Sequence, residues 1–144
     1  MSIFTDVRTS IAHHLTAAAE IIDHFGLSHD EPFDSTRDIH AHGIYDTTPV
    51  LVSPVGAIVM AYHAGATGWR VPRDWNDNDY AALAVFAQFL IRERAIGDHG
   101  SPADTINAWL GRGHTEATVL SAMGAAASAV RCADRDSKLL AAIS

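Results

Sequence analysis

The chain has 144 residues, a length that fits one domain (residues 1–144) with an adequate hydrophobic core. Its formal net charge of −7 argues against binding along a nucleic-acid backbone, which requires Lys and Arg. The single cysteine, Cys132, excludes an intrachain disulfide and a thiolate-rich zinc site. Because the sequence has neither a signal-peptide pattern nor a membrane-spanning apolar run, we expect a cytoplasmic protein.

The first predicted element is an amphipathic helix from Thr5 to Phe25. Its apolar residues recur every three or four positions, which is the spacing of one helical face. Gly26 supplies a left-handed C-terminal cap, and Leu27 after it is able to fold back on the helix. Residues 28–38 are acidic and turn-forming without periodicity, which predicts a solvated loop.

A short β-hairpin is predicted within Ile39–Val52, where apolar residues alternate with histidines. Ser53 and Pro54 then predict a second helix, because serine accepts an amide hydrogen bond and proline fixes the first-turn dihedral. We expect this helix to run to His63 or Ala64. Its bulky residues for the core are Ile58, Val59 and Tyr62.

The stretch from Tyr80 to Arg94 is predicted to be the central helix of the fold. Apart from Gln88 it is apolar on every face through Ile91, and a helix that is hydrophobic all round has to be buried. Polar residues before it supply caps, and two arginines at its end complement the helix dipole. We therefore expect amphipathic helices to surround it.

Two further helices are predicted near the C-terminus. Ser101 and Pro102 repeat the serine and proline signal and begin a short helix that Gly111 ends. Thr115 caps a long last helix, beyond which a tail of one or two amphipathic turns begins after Asp134. The whole pattern predicts a mostly all-α domain, a compact bundle of about five helices around the central helix.

Several of these segments resemble a family of small helical proteins of unknown function from high-GC Gram-positive bacteria and their phages. The similar segments are LTAAAEIIDHFGL, VSPVGAIVMA, ADTINAWLGRGHT and VLSAMGAAASA. Where that family has an Asn-Asp pair after its tryptophan, this chain has Leu110 and Gly111. The resemblance implies a compact, mostly helical domain and no established chemistry.

Nine histidines are many for this length, and the tightest group forms a candidate metal site. Two histidines separated by one residue point the same way on an extended strand, and imidazole with carboxylate suits zinc or iron. The candidate ligands are Asp38, His40, His42 and Asp46. The alternative is the solvent-facing side of an edge strand, because only two good ligands are adjacent.

A second histidine set lies on the first helix, where His13, Glu20 and His24 share a face at helical spacing. Carboxylate-bridged metal proteins arrange ligands in this way, but they need matching glutamates on facing helices. The remaining glutamates of this chain are scattered. The set therefore predicts a solvated helix face.

A candidate anion-binding turn follows the short helix. It consists of Arg112, Gly113, His114 and Thr115, which place a guanidinium, flexible backbone and free amides at a helix start. The turn follows a helix instead of a strand, which excludes a dinucleotide fingerprint. The alternative is a plain helix-to-helix turn.

The C-terminal part of the chain predicts an interface between two copies. Residues 123–129 are almost all small, apolar residues follow on the tail, and homo-oligomers most often close as twofold dimers. The candidate interface residues are Met123, Ala127, Leu139, Leu140 and Ile143. The alternative is that the last helix packs its small face on the central helix of the same chain.

These features favour a non-enzymatic protein-interaction module of bacterial or phage origin that binds itself or another protein and needs no cofactor. The first alternative is a small metal-binding protein or hydrolase that holds zinc or iron with His40 and His42. The second is an acidic mimic of DNA. It is disfavoured because several carboxylates lie at helix starts.

Overall fold

The computed structural model describes residues 3–29, 33–34, 51–67 and 80–143, with side chains in 10–29, 51–63 and 80–133. Within these ranges the chain forms a helical fold with two short strands: α1 (Ile3–Phe25), β1 (Phe33–Asp34), β2 (Leu51–Val52), α2 (Pro54–Thr67), α3 (Ala81–Arg94), α4 (Pro102–Leu110) and α5 (Glu116–Ile143). The predicted bundle of five helices is confirmed. None of the helices in these ranges is long and apolar enough to cross a membrane.

The first and last helices, α1 and α5, form the most extensive contact between described elements. They run antiparallel: Arg131 donates a hydrogen bond to the Thr16 hydroxyl at 3.0 Å, and the His29 ring bonds the carbonyl of His114, before α5, at 2.9 Å. Both helices contribute apolar residues at helical spacing to the core, as the pattern of α1 predicts. Those buried include Ile11, Leu15, Ala18, Ile22, Val119, Met123 and Ala126.

Through Ala61, α2 is buried on every side and α3 is not, which corrects the predicted centre of the fold. Every residue from Ser53 to Ala61 is buried, and none of them carries a charge. On α3, by contrast, Ala84 and Gln88 are exposed. Alanine is apolar but small, so its exposure costs little, and an alanine-rich stretch is compatible with a half-exposed helix. α2 also runs one turn farther than expected, through Thr67.

The predicted helix starts are confirmed where a hydroxyl was expected to cap them. The Oγ atom of Ser53 accepts from the amide of Gly56 at 3.1 Å, and the Oγ atom of Ser101 accepts from the amide of Asp104 at 3.1 Å. Thr115 caps α5 in the same way. α3 differs, because the residue before it, Tyr80, makes no capping hydrogen bond through its side chain.

A two-stranded antiparallel sheet adjoins the end of α1 and the start of α2, with Phe33 opposite Val52 and Asp34 opposite Leu51. The chain after α1 joins it, since Ser28 donates to the carbonyl of Val52 at 2.8 Å. Part of the predicted loop 28–38 is therefore a strand. The sequence missed it because two residues are too few to show alternation. The rest of the predicted hairpin, residues 39–50, lies outside the described residues.

Candidate functional site

An aromatic–histidine patch is formed by His13, His14, Tyr62, His63 and Tyr80. The first two residues belong to α1, the next two to α2, and the last precedes α3. Tyr62 is 53% exposed, whereas the other large apolar side chains that the structure describes are buried or partly buried. Within the described residues, the patch therefore carries the large aromatic ring that is exposed to solvent.

Tyr62 lies among three rings that meet it edge to face. Its ring centroid is 5.5 Å from that of His14, 5.0 Å from that of His63 and 5.1 Å from that of Tyr80. Each such contact contributes roughly 0.5–1.5 kcal/mol beyond burial of area. These contacts on three sides restrict the rotation of an otherwise exposed ring.

A hydrogen bond between the side chains of His63 and Tyr80 connects two residues of the patch. The Nε2 atom of His63 lies 2.8 Å from the hydroxyl oxygen of Tyr80, whose side chain is buried. A buried phenol needs such a partner, because an unpaired hydroxyl inside a protein is costly. The bond also joins α2 to the start of α3, so the patch and the packing of these helices depend on each other.

Burial lowers the pKa of His14 below its ordinary value of 6.5, and the neighbouring His13 lowers it further. The two ring centroids are 6.2 Å apart. Both effects disfavour the charged imidazolium, because it would lose hydration and lie beside a second imidazole. His14 is therefore neutral at pH 7.

We expect the folded protein to lose stability as the pH falls below 6.5. The unfolded chain protonates His14 at its ordinary pKa, whereas the fold resists protonation, so acid favours the unfolded state. Urea unfolding at pH 7.5 and 5.5 should show a smaller loss for His14→Gln than for the wild type. His99→Gln, in the exposed loop after α3, is the matched control and should keep the wild-type loss. An equal loss in His14→Gln and the wild type would contradict the prediction.

The predicted metal ligands Asp38, His40, His42 and Asp46 all lie outside the described residues. Among the side chains that are described, no group of three or more His, Cys, Asp or Glu has the arrangement of a metal site. On the first helix, His13, Glu20 and His24 are exposed, as expected for a solvated face.

The metal alternative makes its own prediction. If the site exists, protein purified without chelator carries stoichiometric zinc or iron, which is lost when both His40 and His42 are replaced by alanine. Elemental analysis of the two preparations measures this. Wild-type protein that neither contains metal nor binds it on titration would remove the alternative.

The residues of the predicted anion-binding turn make contacts at the ends of neighbouring helices. Arg112 directs its guanidinium at the carbonyl oxygens of Arg94 and Ala95, each 3.5 Å away, where α3 ends. Gly113 has a φ of +89°, and the ring of His114 stacks on Trp109 with centroids 4.3 Å apart. With Thr115 capping α5, these residues fit the alternative of a helix-to-helix turn, and anion binding stays a prediction.

Two of the predicted interface residues are not available to a second copy. Met123 and Ala127 are 0% and 1% exposed, because this side of α5 is buried in the core of the same chain. The helix that α5 mainly covers is α1, whereas the in-chain alternative named the stretch that forms α3. The backbone of α5 is helical through Ile143, but the side chains of Leu139, Leu140 and Ile143 lie outside the described ones.

The predicted self-association should therefore depend on the C-terminal turns of α5. We expect the intact chain to be a dimer at micromolar concentration and a chain stopped after Asp136 to be a monomer. Light scattering on both proteins measures this. Finding monomers in both cases would end the prediction of a homodimer.

The model of a protein family of unknown function, DUF6197, matches residues 6–129. The chain belongs to this family. The resemblance to a family of unknown function is thereby confirmed, whereas the bacterial or phage origin stays a prediction. The matched range includes the whole patch. No curated protein and no solved structure matches the chain. Membership of DUF6197 assigns no activity to the chain.

Two shallow clefts also open on the described surface of this DUF6197 domain. One, of about 150 Å³, lies between α3 and the start of α4 beside Gln88, Asp98 and Ser101. The other, of about 130 Å³, lies between α3 and α5 beside Phe89 and Val130. Both are smaller than the roughly 300–1,000 Å³ of a typical ligand pocket. Among the residues that the structure describes, the patch is accordingly the strongest candidate site.

Sequence reasoning missed the patch of the DUF6197 domain for identifiable reasons. It assigned His13 to a solvated face and Tyr62 to the core, and it treated Tyr80 as the first residue of a buried helix. A usable signal was present in the two doublets His13-His14 and Tyr62-His63, which place neighbouring imidazole and aromatic rings on two helices. Nothing in the sequence showed that the two doublets meet.

Proposed function

We propose that this DUF6197 domain is a non-enzymatic interaction module that binds a protein partner through the aromatic–histidine patch. The observation that carries the proposal is the exposure of Tyr62, at 53%, beside the buried core. Tyrosine is enriched at protein interfaces and among the residues that dominate their binding energy. It offers a large contact area and fixes few rotatable bonds when a partner binds.

The geometry around Tyr62 favours binding because the ring is already positioned. The rings of His14, His63 and Tyr80 hold it by edge contacts of 5.0–5.5 Å between centroids. A side chain that is ordered in the free protein loses less conformational entropy on association. The imidazoles around it provide hydrogen-bonding groups, so the patch combines an aromatic centre with a polar rim, as protein interfaces do.

The non-enzymatic part of the proposal is supported by the structural roles of several described polar side chains. Arg112 bonds the end of α3, and the hydroxyls of Ser53, Ser101 and Thr115 cap the helices that follow them. These contacts explain the polar residues by helix termination, which is a structural role. The hydrolase alternative depends on His40 and His42, for which the metal measurement given above is the test.

Photo-crosslinking tests the proposal. A benzoylphenylalanine is placed at position 62 and, as a matched control, at position 88, where Gln88 is exposed on α3. The partner cross-linked in a lysate of the source organism is identified, purified and titrated against the protein by calorimetry. We expect Tyr62→Ser to weaken binding about tenfold or more and Gln88→Ser to leave it unchanged.

Two results would contradict the proposal. One is a partner that cross-links equally well from positions 62 and 88, since this indicates nonspecific capture. The other is a purified partner that binds Tyr62→Ser as tightly as the wild type while the variant keeps the wild-type circular dichroism spectrum and melting temperature.

A further inference from the structure

We infer that the aromatic–histidine patch is an acid-sensitive binding surface, in which the neutral ring of His14 holds Tyr62 in place and protonation of His14 releases it. This inference rests on the proposed function and names how binding through the patch is regulated. It depends on a contact between two helices, because His14 belongs to α1 and Tyr62 to α2. Binding through the patch is therefore expected at neutral pH and weakens in mild acid.

The ring of His14 is partly buried and makes one of the described ring contacts of Tyr62. The two centroids are 5.5 Å apart, and the ring planes are tilted by 66°. Because Tyr62 is 53% exposed, contacts with neighbouring rings are needed to hold its side chain in one position. The rings of His63 and Tyr80 meet it from α2 and from the residue before α3. Withdrawal of His14 therefore removes the described ring contact that α1 supplies.

The surroundings of His14 disfavour its charged form. The titratable side chains that the described contacts place at this ring, or one ring farther away, are His13, Tyr62, His63 and Tyr80. None of these four side chains is a carboxylate. On α5, Arg131 bonds Thr16, which lies roughly 200° around α1 from His14, on the side of the exposed Glu20. A proton on His14 is therefore not stabilised by a described counter-charge.

Protonation of His14 is easier once its ring has left the contact with Tyr62. Burial, and after it the neighbouring His13, lowers the pKa of His14 below 6.5, so the imidazolium gains hydration by moving into solvent. The state in which the ring is withdrawn takes up the proton at the ordinary pKa. Acid therefore shifts the population toward the withdrawn state. The share of molecules that keep the contact falls as the pH decreases from 7.5 to 5.5.

A partner that binds an ordered Tyr62 ring favours the state in which the contact is intact. An ordered side chain loses less conformational entropy on association, so this state has the higher affinity. Because His14 is neutral in this state, association releases the proton that His14 holds in acid. By linkage, the partner in turn lowers the pKa of His14 further. One group that titrates at or below pH 6.5 changes the affinity by about tenfold at most between pH 7.5 and 5.5.

Nuclear magnetic resonance of the protein alone tests the release of Tyr62. The order parameter of its ¹³C-labelled ring and the ring signals of His14 are measured between pH 7.5 and 5.5. We expect the order parameter to fall over the pH range in which His14 takes up its proton. His14→Phe keeps an aromatic ring that cannot be protonated, so Tyr62 should stay ordered at both pH values. His14→Gln removes the ring and should leave Tyr62 mobile at both, whereas His99→Gln should behave as the wild type.

Calorimetry with the partner that cross-links at position 62 tests the effect on binding. The wild type and His99→Gln should bind this purified partner about two- to tenfold more weakly at pH 5.5 than at pH 7.5. His14→Phe should show a smaller change. The partner's own groups titrate equally in every experiment, so the difference between the wild type and His14→Phe isolates the contribution of His14. Circular dichroism at both pH values verifies that each protein is folded.

The outcomes separate the inference from the function on which it rests. A Tyr62 ring that keeps its order while His14 is protonated overturns the inference, and so does equal pH dependence of binding in the wild type and His14→Phe. A partner that raises the pKa of His14 overturns it as well, because binding then stabilises the imidazolium. In each of these cases the proposed function still stands if Tyr62→Ser loses affinity for the cross-linked partner. If that variant keeps its affinity, the proposed function itself fails.

Discussion

Replacement of Phe86 by aspartate is expected to unfold the protein. Phe86 is 0% exposed on α3, where its ring meets Trp109 edge to face at 6.1 Å and lies parallel to Phe89. Loss of a buried phenylalanine alone costs about 3–5 kcal/mol. Burial of an unpaired carboxylate adds several more. The sum is comparable with the whole free energy of unfolding of a typical domain, about 5–15 kcal/mol.

The matched control is Gln88→Asp, two residues farther along α3, where the side chain is exposed. It introduces the same charge and should change the free energy of unfolding by no more than about 0.5 kcal/mol. Circular dichroism and guanidinium unfolding measure both variants. If Phe86→Asp unfolds cooperatively within a few degrees of the wild type, the position of Phe86 in the core is wrong.

Replacement of Gly26 by alanine is expected to destabilise the protein by about 1–3 kcal/mol. Gly26 ends α1 with a φ of +101°, a conformation that residues with a Cβ atom rarely adopt. A Cβ atom there would lie 2.8 Å from Cδ2 of Leu51, so the side chain of β2 would have to move. The carbonyl of Gly26 also accepts from the amide of Val52, which ties this cap to the sheet.

The same substitution on α5 should have the opposite sign. Gly124 is exposed within the helix, and a Cβ atom added there meets nothing within 4 Å. Alanine in place of a helical glycine stabilises by roughly 0.5–1 kcal/mol, because glycine loses more backbone freedom on folding. Urea unfolding of the two alanine variants gives the comparison. A stability gain in Gly26→Ala would contradict the strained cap.

The elements that the sequence predicted well are those whose signals are local. Ser53 with Pro54 and Ser101 with Pro102 each combine a hydroxyl acceptor with a residue that needs no amide partner, and α2 and α4 begin where these pairs stand. Gly26 is also a local signal, because a glycine readily adopts the positive φ that ends α1. Such signals act within one helical turn, so they can be read without knowledge of the fold.

The features that the sequence did not predict depend on contacts between distant segments. Alanine on α3 fits both a buried and an exposed face, so the pattern did not show that Ala84 faces solvent. Tyrosine is equally ambiguous, because it has an apolar ring and a polar hydroxyl. The surroundings of Tyr62 depend on such contacts, because His14 belongs to α1 and Tyr80 precedes α3.

The pairing of α1 with α5 has a consequence for synthesis of the protein. About 90 residues separate the two helices, so at ribosomal rates of roughly 5–20 residues per second α1 is complete on the order of 5–20 s before synthesis of α5 begins. During that interval the apolar side of α1, which α5 will cover, has no native cover from that helix. Contacts between distant segments also slow folding, because a long loop must close before they form. We therefore expect the yield of native protein in a cell to depend on how fast it is translated and on which chaperones hold the nascent chain.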